Sequence, residues 1–96
     1  MDVTQAVRLA KDHVIRVFSD EDISDLTLEE VELGHNPKSW LITIGFLRRN
    51  PDPPAHALGA LAHALAPPKR IYKIIHLDDA TGDMISIKNR ETYEAA

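Results

Sequence analysis

Apolar residues recur through the first eighteen positions at Val3, Val7, Ala10, Val14 and Phe18, in steps of four, three, four and four. That is a helical period, and it predicts an amphipathic helix with Arg8, Lys11, Asp12 and Arg16 on its other sides. Asp2 stands three residues before Gln5, the spacing of a capping box in which each side chain satisfies a free backbone N–H. Ser19-Asp20-Glu21-Asp22 ends the segment. Carboxylates are unfavourable at the negative end of a helix dipole, so the helix stops by about Ser19.

The pattern then changes to alternation. In residues 26–33, Leu26 and Leu28 share one phase while Val31 and Leu33 share the other. One extra residue near Glu29-Glu30, a β-bulge of the kind found on edge strands, brings all four to one face. Gly34-His35-Asn36-Pro37-Lys38 reads as a turn. In residues 39–49, Trp40, Ile42, Ile44 and Phe46 alternate with Leu41, Thr43, Gly45 and Leu47. The first set is bulkier and is expected to meet the helix, with Trp40 as core. Residues 70–78 and 83–89 are two further strands, with Ile85 and Ile87 expected inward and Ser86 and Lys88 outward. Gly82, in the connection between them, suits the left-handed conformation that closes a short hairpin.

Residues 50–69 stand apart. Prolines 51, 53 and 54 open this stretch and prolines 67 and 68 close it, around an alanine-rich interior from Ala55 to Ala66. Leu58, Leu61 and Leu65 follow helical spacing, and alanine favours helix, so a helix of about ten residues is one reading. A mobile loop, favoured by Gly59 and the flanking prolines, is the other. The expected fold is a single α+β domain over residues 1–96. One N-terminal helix packs on a four-stranded antiparallel meander of order 1-2-3-4, with the proline-bounded insert between strands 2 and 3.

A helix followed by an antiparallel meander resembles the cystatin-like fold. The run Ile71-Tyr72-Lys73-Ile74-Ile75-His76-Leu77-Asp78, then Ala80-Thr81-Gly82 and Met84-Ile85-Ser86-Ile87, looks like part of a PepSY-type domain: a strand ending in aspartate, then Thr-Gly, then an apolar strand. The likeness covers about a third of the chain in detail. It implies a small non-catalytic α+β domain, and it supplies no functional residue to carry over. The 20-residue insert and the absence of an export-type segment depart from that family, where such domains are often extracytoplasmic.

Composition narrows the functional classes. Apolar residues make up 44% and charged residues 27% of 96, ordinary globular usage. With no cysteine, thiol catalysis and cysteine-based zinc sites are excluded, and a reducing cytoplasm is the expected compartment. Eleven basic against fifteen acidic residues give −4, which speaks against nucleic acid. The bracketing cations Arg48, Arg49, Lys69 and Arg70 read as solubilising strand ends. No apolar run approaches the ~20 residues of a membrane span.

Candidate chemistry is sparse. His56 and His63 are seven apart, about 10 Å along a helix, which is too far for a direct chelate. His13, His35 and His76 read as solvated side chains. An EF-hand register from Asp20 needs glycine sixth and glutamate twelfth, where Asp25 and Val31 stand. The four glycines form no phosphate-binding loop, and no nucleophile motif occurs. The expectation is therefore no catalytic, metal or cofactor site, although histidine–carboxylate acid–base pairs assemble in space and sequence does not exclude them. Two main readings remain, with a small enzyme as the third. One is an immunity- or antitoxin-like inhibitory module that binds a basic protein partner through Asp20, Asp22, Asp25, Glu29 and Glu30, with Leu58, Leu61 and Leu65 of the insert. The other is a self-associating domain that meets a second copy through Leu41, Leu47, Tyr72 and Ile74.

Overall fold

The computed structural model describes residues 1–35, 38–49, 57–65 and 68–90. The chain runs α1 (Val3–Val17), β1 (Ile23–His35), β2 (Lys38–Arg48), α2 (Ala57–Leu65), β3 (Lys69–Asp78) and β4 (Met84–Asn89). The four strands form one antiparallel sheet in the order β1-β2-β3-β4, with α1 packed across one face. The expected α+β meander is thus the observed fold, and the stretch between β2 and β3 carries a helix. Asn36 and Pro37 of the first turn, and Pro51, Pro53, Pro54, His56 and Pro67 of the insert, lie outside the described residues.

Local chemistry sets the ends of α1. The Gln5 N–H donates to Asp2 Oδ1 at 2.8 Å and the Asp2 N–H donates to Gln5 Oε1 at 2.9 Å, completing the capping box. At the other end Phe18 caps the helix, its N–H bonded to the Val14 carbonyl at 3.0 Å. The buried face is rotated from the expected stripe. Ala6, Ala10 and Val14 are fully buried, whereas Val3 is 46% exposed. Small side chains win the centre of the contact because they let the helix axis approach the sheet, while Leu9 and Phe18 pack from the flanks.

Ile42, Ile44 and Phe46 of β2 meet Ile75 and Leu77 of β3 beneath the helix. Trp40 packs against this core half-buried, its indole N–H reaching outward to Asp79. Phe18 tilts onto Phe46 with ring centroids 5.3 Å apart, and the cations of Arg48 and Lys73 each sit 5.7 Å from the Phe18 ring. The aromatic pair therefore anchors the end of α1, with cation–π contacts on its rim.

The bulge in β1 falls where the phase change put it. Leu28 pairs with Ile44 and Glu30 with Thr43, leaving Glu29 as the extra residue. A second irregularity lies between Ser24 and Thr27, where Asp25 takes φ +54°. β4 departs from simple alternation: Ile75 pairs with Ile87 and Leu77 with Met84, so Ile85 is bulged out and 52% exposed. Met84, not Ile85, packs inward beside Ile87. In the preceding turn Asp78 Oδ1 accepts the N–H groups of Ala80 at 2.8 Å and Thr81 at 3.0 Å, and Gly82 takes φ +76°.

Candidate functional site

Three surfaces follow from this arrangement. The first is α2. Nine residues, Ala-Leu-Gly-Ala-Leu-Ala-His-Ala-Leu, contain no charged side chain. Among the described residues the helix makes no extensive contact with α1 or the sheet, and Leu58, Leu61 and Leu65 are 80%, 56% and 75% exposed. Isolated helices shorter than about 12–15 residues are marginal in water, so a solvent-facing apolar helix of this length lacks what normally stabilises one. The His56–His63 spacing lies outside the described side chains.

The second surface is the acidic run leading into β1. Asp20, Asp22, Asp25, Glu29 and Glu30 are all exposed. The fold nevertheless engages several carboxylates internally, by pairing them with arginines from β2, β3 and the end of β4. Arg48 pairs with Glu21, and Arg49 lies 3.9 Å from Asp22. Arg70 lies 3.4 Å from Glu29 and Arg90 lies 3.6 Å from Glu30. The cations that read as solubilising strand ends are therefore mostly engaged in ion pairs. Thr27 donates its hydroxyl to Glu29 Oε1 at 2.6 Å. That hydrogen bond, with Arg70 adding to it, outweighs partial desolvation and holds the Glu29 carboxyl below the usual range. Asp20, Asp25 and Glu32 form no ion pair among the described residues.

The third surface is the sheet face opposite α1. Register places Leu41, Leu47, Tyr72 and Ile74 on it together, all half-buried. Tyr72 lies over Gly45, where a Cβ would stand 3.0 Å from the ring and 2.8 Å from Glu29 Oε1, so a larger residue there would have to displace both neighbours. A shallow hollow of about 100 Å³ opens beside them, lined by Glu30, Glu32, Leu41, Thr43, Ile74 and Arg90.

Two polar links were not visible in the sequence. His13, expected to be solvated, is half-buried. Its Nε2 lies 3.2 Å from the Gly82 carbonyl and Arg16 donates to Nδ1 at 3.2 Å, so the ring donates from Nε2 and ties α1 to the β3–β4 turn. Asp79 Oδ1 accepts the Trp40 indole N–H at 2.7 Å, with Lys38 at 3.6 Å and the Met1 amine at 3.5 Å nearby. The indole hydrogen bond foremost, then Lys38 and the amine, holds the Asp79 carboxyl below its ordinary value despite partial desolvation. Both links join residues distant in sequence. His35 is exposed and His76 half-buried on the open face.

Among the described residues no three His, Asp or Glu side chains converge to hold a metal ion. No helix among them is long and apolar enough to cross a membrane. No protein-family model, curated protein or solved structure matches this chain.

Proposed function

We propose that this chain is a non-catalytic protein-binding module, of the inhibitory kind, that inserts the leucine face of α2 into an apolar groove of another protein. The observation that carries the reading is the combination of three exposed leucines with the absence of any charge in nine helical residues. Apolar patches of that sort on a small domain are a feature of partner surfaces, and helix-in-groove recognition uses side chains at this spacing. The net charge of −4 favours encounter with a groove of basic rim. Because much of the acidic run is engaged internally, this attraction acts on the association rate more than on the strength of the final contact.

A photo-crosslinking residue at position 61, introduced in the source cells, identifies the protein in contact with α2. Purified partner and full chain are then titrated. Changing Leu58, Leu61 and Leu65 together to serine is expected to abolish binding while the thermal transition of the domain stays in place. Reversing Asp20, Asp22 and Asp25 is expected to slow association at low salt only. Undiminished binding by the triple serine variant would overturn the reading, and so would crosslinks at position 61 that lead only to a second copy of this chain.

A further inference from the structure

The open sheet face sorts its charges by strand. Across the strands, Glu30 lies beside Thr43, Thr43 beside Ile74, and Ile74 beside Lys88. The next row toward the hairpin turns runs Glu32, Leu41, His76, Ser86. On the other side the row runs Thr27, Gly45, Tyr72 and ends at Arg90, whose N–H donates to the Tyr72 carbonyl at 3.2 Å. Glu29, Glu30 and Glu32 therefore line the β1 margin, where Arg70 of β3 pairs with Glu29; Lys88 and Arg90 line the β4 margin, and a mainly apolar strip lies between the two.

We infer that a second copy of this chain docks on this face, related by a two-fold axis that runs along the strands in the plane between the two sheets. Rotation about that axis carries β1 onto β4 and returns each row to itself. Glu30 then stands over Lys88 of the partner subunit, and Arg90 over the partner's Thr27, beside the ion pair of Arg70 with Glu29. An axis running across the strands would instead set acid against acid. The size is adequate. Four strands about 4.8 Å apart and about ten residues long at 3.4 Å each present roughly 650 Å². Two such faces bury roughly 1,300 Å², within the range of stable interfaces. The hollow of about 100 Å³ beside Thr43 and Ile74 receives the partner's side chains. Arg90 and Glu30, which are 3.6 Å apart across that hollow and 41% and 57% exposed, exchange their mutual contact for one across the interface. The inference uses no residue of α2.

The test is the mass of the full chain in solution, by sedimentation or light scattering over a wide concentration range at low and high salt. Two variants carry the argument. Glu30→Lys with Glu32→Lys gives the face a net positive charge, and Lys88→Glu with Arg90→Glu gives it a net negative charge, the Arg70–Glu29 pair staying in both. The parent is expected to dimerise, and more weakly at high salt. Each variant is expected to dimerise at least about tenfold more weakly, through like-charge contacts. An equimolar mixture of the two is expected to regain the dimer mass. Leu41→Arg, at the middle of the face, gives a separate loss of dimer should either charge variant fail to fold. A parent that stays monomeric throughout overturns the inference, as do variants that dimerise like the parent or a mixture that does not recover. The triple serine change in α2 is expected to leave the dimer intact, so failure here is distinct from failure of the α2 reading.

Discussion

Ile44→Ala tests whether the two layers share one core. Ile44 is fully buried in the middle of β2, flanked by Leu28 on β1 and Lys73 on β3, and belongs to the cluster that includes Ala6, Ala10 and Val14 of α1. The substitution removes three carbons, worth about 2.4 kcal/mol at about 0.8 per buried methylene. A cavity penalty adds to this, and isoleucine-to-alanine changes in cores cost about 2–5 kcal/mol. Leu28 is 43% exposed, so the β1 side can relax into the space and hold the cost near the lower middle of that range, about 3 kcal/mol. A domain of this size is stable by about 5–14 kcal/mol, so the loss is a large fraction of the total. The expected fall in melting temperature is roughly 12–24 °C. Urea unfolding followed by Trp40 fluorescence measures it, with an unchanged slope showing that the folded state is otherwise preserved. Leu61→Ala on α2 is the control and is expected to cost under about 0.5 kcal/mol. A loss below about 1 kcal/mol at Ile44, or equal losses at both positions, would refute the packing argument.

Gly82→Ala is expected to cost about 1–2 kcal/mol, because φ is +76° and the added Cβ would stand 2.8 Å from Leu9 Cδ1; unchanged denaturation would contradict this. Asp79→Asn is expected to flatten the acid limb of stability. The folded carboxyl lies below its ordinary value of about 3.9, so its contribution is complete above that pH and disappears as pH falls through the folded value. Urea midpoints of parent and variant, followed from neutral pH into acid, are expected to converge below about pH 4, and a constant gap would exclude the carboxylate as the cause. Replacing residues 52–67 by a short Gly-Ser turn is expected to leave a cooperatively folded domain within about 1 kcal/mol of the parent. The exposed leucines contribute little burial, and each halving of the connection returns about 0.6 kcal/mol of closure entropy. Collapse of the fold would place Leu58, Leu61 and Leu65 in the core.

Features written in local spacing were legible in the sequence. The capping box needs only Asp2 and Gln5, and the Glu29 bulge announces itself because Leu28 and Val31 change phase across it. The helix rotation was harder to read, since Val3 and Val7 fit the period as well as Ala6 does. Apolar periodicity does not rank a small residue above a large one, whereas close approach to the sheet does. The bulges at Asp25 and Ile85 have no phase marker, so alternation was carried through Ile85 into the wrong face. The His13–Gly82, Trp40–Asp79 and Glu30–Arg90 links span long stretches of chain and exist only once the strands are in register. For α2, spacing identified the leucine edge. Whether the fold covers such an edge is a tertiary fact, and it decides between core and exposed surface.

The interruptions in β1 bear on how this chain behaves when crowded. Bulges at Asp25–Leu26 and at Glu29 break the regular alternation of outward N–H and C=O groups along that margin of the sheet. An incoming strand finds only short stretches of matched partners there, beside Glu29, Glu30 and Glu32. The opposite margin is six residues long and carries its own bulge at Ile85. Fibrillar growth by strand addition, the hazard of an open four-stranded sheet, is thus hindered at both ends. What a neighbouring molecule meets at this domain is therefore side chains, among them Leu58, Leu61 and Leu65 of α2, rather than long runs of unpaired main chain.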